Sequence, residues 1–406
     1  MSAEPPKILG VGVELMSLDE RWSITNGRVC LLSTVHPPFD TRIFHKEAKT
    51  LVQAGYEVVL IAQHERNEVV DGVKIVALPK PRNRFARIFG LTWRAFRMAL
   101  RERADIYHFH DPELLPCGVL LKLISRGKVV YDVHENVPKQ ILNKLWLPTW
   151  SRKPLAVAYK VVERICLPFI DVIVIAEDSY IENYRGRSNV VAIRNYPIIA
   201  PLTRGSRNMA WAELRHGLRL VYVGGVSKLR GALELIEAMR ILTTKGYKDL
   251  TLSIIGPLTP SQFGDELTLL LRQYDLEASV QIPGPIPHEE VFDVLARSHI
   301  GLAVLHPDPN YVDSLPTKLF EYMAAGLPVV ASNFPLWKEI VEGNQCGITV
   351  DPLDPKEIAQ AIEYLLTHPE EARQMGENGR RAVAEKYNWE QEKEKLLRLY
   401  GELLKG

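Results

Sequence analysis

At 406 residues, 46% of them hydrophobic, the chain is too long for one ordinary core and suits two domains of ~200 residues each. Its formal charge of +1 gives no global field toward nucleic acid, so attraction to an anionic partner must come from a local patch. Cys30, Cys117, Cys166 and Cys346 lie far apart without metal-ligand or Cys-x-x-Cys spacing and read as buried thiols of a reducing compartment, and no uninterrupted apolar run predicts a membrane-spanning helix.

Residues 1–27 lack the apolar core of a signal peptide; within them Lys7–Val13 has the look of a stray strand. Strand-like runs then follow at Val29–Ser33, Glu57–Ala62, Val73–Leu78, Ile106–Phe109, Lys128–Asp132, Val172–Ala176 and Val190–Arg194. After a Pro-containing, sparsely patterned stretch at Tyr196–Ser206 they resume at Leu218–Val223, Thr251–Gly256, Val280–Ile282, Ile300–Val304, Val329–Ala331 and Gly347–Val350. Amphipathic patterns such as Phe44–Ala54, Ala232–Leu242, Glu289–Arg297 and Pro355–Leu366 separate them, and Trp389–Leu404 predicts a long polar helix at the end. Alternation of this kind, repeated twice, predicts two α/β domains with parallel sheets: 1–200, then 201–387, with the helix at 388–406 packing back on the first. Ligands of such sheets bind at the carboxyl ends of the strands.

Two segments carry chemistry at such positions. In Val221–Gly231 a strand runs into Gly224-Gly225 and then into Lys228 and Arg230 before a helix. Glycines let backbone N–H groups approach phosphate, and a helix start favours an anion; a plain tight turn with solvated cations fits the same residues. In Ser314–Ala331, Pro316 suits a first helical turn. Lys318 then lies near the positive helix end, and Glu321 follows one turn later on the same face. A cation for phosphate beside a carboxylate for hydroxyls suits a sugar nucleotide; an exposed Lys–Glu pair is the plainer reading.

Together these segments resemble family 4 of the retaining glycosyltransferases, whose fold is GT-B: two Rossmann-like domains with parallel sheets facing across a cleft. The family's Glu-x7-Glu signature ends here in Glu321-Tyr-Met-Ala-Ala-Gly-Leu-Pro-Val-Val-Ala331, a close match. The resemblance covers about residues 28–405. It implies that Glu321 holds the nucleotide ribose and that Asp313, in place of the first glutamate, meets the donor sugar. Ser314, Leu315 and Pro316 stand where the family has Gly-Phe-Gly, followed by Thr317. The family's phosphate-binding arginine falls on Gly225 and its lysine on Arg230. A diphosphate needs about two cations, so Lys318 is expected to supply the second, with Lys228 as fallback. Gly224, Gly256, Pro285 and Ile286 belong to loops that resemble those beside the nucleotide, and UDP- and GDP-linked donors fit equally.

In the first half, Asp105–Pro112 resembles a family strand whose final histidine, here His110, contacts the donor sugar. His108 shares its face. A zinc reading of His-x-His would need more ligands, of which His134 is available; the resemblance implies no metal and no cofactor. Tyr131–Val137, with His134 and Glu135, is expected to line the cleft or acceptor site. Asp40 and Arg42, in a Pro-rich first loop, suggest contacts to an anionic acceptor or a local ion pair. Lys80–Arg103 interleaves basic residues with Phe85, Phe89, Trp93 and Phe96, the pattern of a helix on an anionic membrane or of a core helix with a solvated basic face. Gln140–Trp150 adds Leu142, Leu145, Trp146, Leu147 and Trp150. The expectation is a cytoplasmic retaining glycosyltransferase, peripheral on the inner membrane face. It would move a sugar from a nucleotide diphosphate to a lipid-linked or surface-glycan acceptor without binding nucleic acid. A sugar-nucleotide epimerase and a non-catalytic partner subunit remain the alternatives.

Overall fold

The computed structural model describes residues 27–143, 147–199 and 217–405. The strand expected at Lys7–Val13, the domain boundary at 200, and Leu145 and Trp146 lie outside them.

Two parallel sheets organise the chain. The first contains β1 (Arg28–Leu32), β2 (Glu57–Gln63), β3 (Glu68–Val70), β4 (Val73–Leu78), β5 (Ile106–Phe109), β6 (Lys128–Val133), β7 (Val172–Ile175) and β8 (Val190–Ala192). Their spatial order is β3-β4-β2-β1-β5-β6-β7-β8, parallel except for β3. The second contains β9 (Leu218–Val223), β10 (Leu250–Ile255), β11 (Val280–Gly284), β12 (Ile300–Ala303), β13 (Val329–Ser332) and β14 (Gly347–Val350), in the order β11-β10-β9-β12-β13-β14. In both sheets the order reverses beside the first strand, at β1/β5 and at β9/β12. A crevice opens at such a switch point, because the crossovers on either side leave in opposite directions.

The helices of the first half are α1 (Lys49–Gln53), α2 (Thr92–Glu102), α3 (Leu115–Ile124), α4 (Val137–Asn143) and α5 (Thr149–Cys166). Those of the second are α6 (Ala232–Thr244), α7 (Phe263–Gln273), α8 (His288–Arg297), α9 (Thr317–Ala325), α10 (Pro335–Val341), α11 (Pro355–Thr367), α12 (Pro369–Glu385) and α13 (Trp389–Lys405). The sequence placed all the strands but β3 to within about two residues. β3 is a three-residue edge strand, too short for a hydrophobic period. Its signal was the turn Asp71-Gly72, whose φ values of 50° and 81° match a tight hairpin.

β1 reads Val29-Cys-Leu-Leu32 and is buried on both faces, as a central parallel strand must be. Cys30 and Leu32 face a core closed by α2, α3 and α5 through Phe96, Leu115, Leu121 and Cys166. Val29 and Leu31 face the other core, which α13 closes with Trp389, Leu396, Leu399 and Tyr400. The last helix of the chain thus returns to the first sheet, and Trp389 Nε1 donates to Thr50 Oγ1 at 3.0 Å. All four cysteine thiols are free and buried.

Candidate active site

At the switch point of the first sheet, the loop after β1 is held from below by Asp111. Its Oδ2 accepts from Ser33 Oγ at 3.0 Å, Thr34 Oγ1 at 3.1 Å and Val35 N at 3.1 Å. A buried carboxylate with three such donors fixes the loop without needing the glycines that a backbone-only loop requires. Asp111 was not singled out in the sequence; its position after His110 was the available signal.

Arg42 is not an acceptor contact. Only 3% exposed, it bonds Asp132 Oδ2 through Nη2 at 2.7 Å, pairs with Glu47 Oε1 at 3.0 Å and donates to Ile193 O at 2.9 Å. Nor do Asp40 and Arg42 form a side-chain pair. Asp40 Oδ1 instead accepts from Arg42 N and Ile43 N, capping the turn Thr41–Ala48 where its i→i+5 hydrogen bonding begins. A guanidinium buried among two carboxylates and a carbonyl is committed to the interior and turned away from the cleft.

His108 is likewise withdrawn from the cleft. It is fully buried, its Nδ1 lies 2.6 Å from Tyr400 Oη on α13, and its Nε2 lies 3.5 Å from Asp132. His110 is 3% exposed; its Nδ1 faces His134 Nε2 at 3.0 Å and its Nε2 faces Glu47 at 3.5 Å. Burial, with His108 and His134 beside it, pushes the His110 ring well below the usual histidine range. Burial opposes the charge of Asp132 too, but Arg42, His134 and His108 hold its carboxyl well below the usual range. His134 reaches toward solvent above this cluster, with its side chain 13% exposed. His110 therefore lies beneath His134 and meets the cleft only through that contact. Ligand atoms of Glu47, His108, His110 and Asp132 lie within 4.8 Å of one another, which is metal-ligand spacing. Arg42 already occupies the space between both carboxylates, paired with Asp132 at 2.7 Å and Glu47 at 3.0 Å.

The second switch point carries the cationic pair. Gly224 (φ 126°), Gly231 (φ 76°) and Gly256 (φ 145°) all occupy conformations that favour glycine. A Cβ on Gly256 would fall 1.9 Å from Gly224 O, so the loops after β9 and β10 touch backbone to backbone. A Cβ on Gly224 would sit 3.0 Å from Lys318 Nζ and 3.8 Å from Arg230 Nη1. Both cations thus converge on the Gly224-Gly225 backbone. Arg230 is steadied by the Tyr311 ring, 5.4 Å from its centroid. Lys318 is 7% exposed, lies 3.7 Å from the Tyr222 ring centroid, and its Nζ has no hydrogen-bond partner among the described residues. Burial, then Arg230, pushes its amine well below the usual lysine range, against the pull of Glu321. Lys228, the fallback cation, pairs with Glu266 at 2.6 Å on the surface.

α9 positions this pair. Pro316 (φ −70°) precedes the helix instead of opening it, and Gly326 (φ 77°) ends it. Lys318 and Glu321 both lie buried on α9, with Thr317 opening the helix. Ser314 O accepts from Trp337 Nε1 at 2.7 Å, which fixes the loop ahead of it. Pro285 and Ile286 follow β11 beside Gly256, whose N–H donates to Gly284 O at 3.0 Å.

Between the sheets lies a cavity of about 290 Å³ lined by Glu135, Lys139, Glu177 and Tyr180 from the first half and by Arg230 and Asp313 from the second, among others. Lys139 Nζ stands 3.4 Å from Asp313 Oδ2, and Leu315 N donates to Glu177 Oε1 at 3.2 Å. Lys139 lies on α4, Glu177 in the loop after β7 and Tyr180 in the short helical turn that follows; none belongs to a motif, so the sequence did not mark them. Of the cluster Tyr131–Val137, Glu135 and Asn136 reach the cavity while Asp132 is buried beneath it.

Burial raises the Glu177 carboxyl from 4.5 to about 7, with the Leu315 N–H and Tyr180 opposing. A raised acid pKa adds stability that is complete below the unfolded value and is lost as pH rises to about 7. Glu177→Gln keeps an acceptor for Leu315 N–H and removes the charge. Its melting temperature should therefore exceed that of the parent at pH 8 and converge with it near pH 5. A difference independent of pH would show that ionisation at Glu177 carries no such cost.

Matches to known proteins give the family. Residues 41–195 match the model of Glycosyltransferase Family 4, and residues 215–382 that of Glycosyl transferases group 1. Among curated relatives, the MMP α-(1→4)-mannosyltransferase of Mycolicibacterium hassiacum is 24% identical over 73% of this chain and 71% of its own. Sucrose-phosphate synthase from Thermosynechococcus elongatus superposes with a TM-score of 0.73 at 18% identity, covering 93% of this chain and 98% of that one. Anabaena HepE, solved in complex with UDP and glucose, gives 0.68 at 14% identity over 92% and 99%. With the GT-B architecture and a family match over each of the two halves, the chain belongs to the group 1 glycosyltransferases of family 4.

Proposed function

We propose that the enzyme transfers a glycosyl group, with retention of anomeric configuration, from a nucleoside diphosphate sugar to a glycan or lipid-linked acceptor. The observation that carries this reading is the Lys318 amine. Buried, without an acceptor among the described residues, it meets Arg230 over a glycine backbone. Two cations so close repel each other, and a diphosphate between them removes that cost. Anabaena HepE, a structural neighbour, was solved with UDP and glucose, which supports a nucleotide sugar as the donor.

On this reading the diphosphate lies over Gly224 and Gly225 against Arg230 and Lys318, with the loops of Gly256, Pro285 and Ile286 around the nucleotide. Glu321 takes the ribose hydroxyls. The donor sugar projects into the cavity toward Asp313, Ser314 and Leu315. The acceptor hydroxyl attacks the anomeric carbon from the face that the diphosphate leaves. The old C1–O bond breaks, the new one forms, and the hydroxyl proton passes to a leaving phosphate oxygen. No metal or cofactor takes part, since the two side-chain cations carry the leaving-group charge. The names of the curated relatives favour transfer over epimerisation or a non-catalytic partner role.

Among the described residues no helix is long and apolar enough to cross a membrane. Phe85, Phe89 and Trp93 are 76%, 71% and 52% exposed beside Arg84 and Arg94, which supports contact of the 80–103 segment with an anionic membrane at the inner face. Phe96 is the exception: it is buried in the core.

Calorimetric titration with UDP, GDP, ADP and CDP and their sugars tests the donor. Glu321→Ala should weaken the preferred nucleotide by roughly tenfold to a hundredfold, the loss of one charge-assisted hydrogen bond. An unchanged dissociation constant would remove Glu321 from the site, and no binding of any nucleotide would remove the reading itself.

A further inference from the structure

α5 is an amphipathic helix mounted with its apolar side outward. It packs on the first domain through Ala156 and Cys166, with Tyr159 and Glu163 half-buried on the same side. On the opposite side, Trp150, Val157, Val161 and Ile165 stand 80%, 61%, 52% and 64% exposed. Their spacing of seven, four and four residues makes a single stripe along the helix. Lys153, Lys160 and Arg164 flank that stripe, all exposed and without ion-pair partners among the described residues. Glu163 is the only carboxylate of α5, and it points inward, accepting from Tyr159 Oη and Tyr184 Oη. The outer face therefore holds cations and apolar side chains and no acid. Water alone would select the opposite arrangement.

Two further observations say what covers it. α2, α3 and α5 form one layer on the same face of the first sheet, so the exposed Phe89 and Trp93 belong to the same side of the molecule. Behind α5, a groove of about 560 Å³ is lined by Lys160, Arg164, Arg185 and Arg187 and by the acids Glu163 and Glu182, of which Glu182 pairs with Arg185, and it shares Glu135 and Asn136 with the interdomain cavity. A headgroup lying beside α5 can thus reach the reacting centre without leaving the protein surface.

We propose that the outer face of α5 docks on an anionic lipid bilayer, and that the groove between α4 and α5 leads the headgroup of a lipid-borne acceptor into the cleft. This rests on the transferase reading above, and it places the main contact on α5, outside the 80–103 segment. Apolar side chains enter the acyl boundary while the flanking cations meet lipid phosphates, an arrangement whose strength scales with both terms. A second copy of the chain is the rival occupant, but an acid-free basic face repels its own copy.

The test uses the full chain with phosphatidylcholine vesicles, with and without phosphatidylglycerol. The parent protein should co-sediment with the anionic vesicles only, and less so at high salt. Val157→Ser/Val161→Ser/Ile165→Ser should lose that binding by about tenfold or more, with an unchanged melting temperature because these side chains are exposed. Phe89→Ser/Trp93→Ser should lose less. The α5 variant should keep its nucleotide affinity and its turnover of a water-soluble acceptor while losing turnover of a vesicle-embedded one. Vesicle binding that survives in the α5 variant, or is absent in the parent, overturns the proposal, as does a dimer in the parent that the variant abolishes. Failure of the transferase reading would show separately, as loss of nucleotide binding in the parent.

Discussion

Lys318→Ala should lower turnover at saturating donor by about 10²–10³, the usual cost of removing one preorganised charge from a developing anion. Arg230→Ala should act similarly. The double variant should be less impaired than the two single effects multiplied, because both groups serve one leaving group. The structure also supplies a rescue. Gly225 has no positive φ, and a Cβ there would meet Arg230 Cζ at an ordinary 3.5 Å. Gly225→Arg in the Lys318→Ala background should therefore restore part of the activity. Because the free amine is held well below its usual range, a bound diphosphate should draw a proton onto it. Nucleotide affinity should accordingly fall as pH rises from the lowered value of the free amine toward the usual lysine range, with proton uptake in that window visible by calorimetry in buffers of different ionisation enthalpy. Lys318→Ala should abolish that uptake. Parent-like turnover in Lys318→Ala would place the second cation elsewhere.

Arg42→Met is expected to have the largest effect on stability, about 3–5 kcal/mol by urea denaturation. The side chain is the single strong cation between Asp132 and Glu47, and its removal leaves two buried carboxylates facing each other. Burial, with Asp132 alongside, already raises the Glu47 carboxyl well above its usual range even with Arg42 present. Protonation of Glu47 then becomes the cheapest relief, so the variant should regain stability as pH falls. A loss below about 1 kcal/mol would mean that the cluster relaxes around a cavity or water and that Arg42 is not its keystone. The outcome matters for the site because His110 and His134 stand on this cluster.

Asp40 and Arg42 illustrate where reading by neighbours in sequence fails. Two opposite charges two residues apart in a Pro-rich loop look like partners for each other or for a ligand. The chain turns into a helix at Thr41, so Asp40 is spent on the helix start while Arg42 points inward to a strand ninety residues away. His108 fails in the same way: its partner, Tyr400, comes from the last helix of the chain. Glu177, Lys139 and Tyr180 went unmarked because isolated polar residues in a loop or a short helix carry no periodicity.

What the sequence determined by itself is the double α/β alternation, the strand positions, and the glycine loop from Gly224 to Arg230 with α9. These are local properties: apolar period, glycine where φ must be positive, proline before a helix, and a contiguous signature around Glu321. Charge balance across that signature also pointed to Lys318, and α9 does bring it to Arg230. Tertiary structure alone decided which polar residues of the first domain face the cleft and which are locked beneath it, because that depends on strands and helices far apart in the chain. It alone decided, too, that α5 turns its apolar stripe outward. A helix with two usable faces buries whichever one the sheet accepts, and here the small Ala156 and Cys166 fit against the domain while the larger Val157, Val161 and Ile165 remain outside.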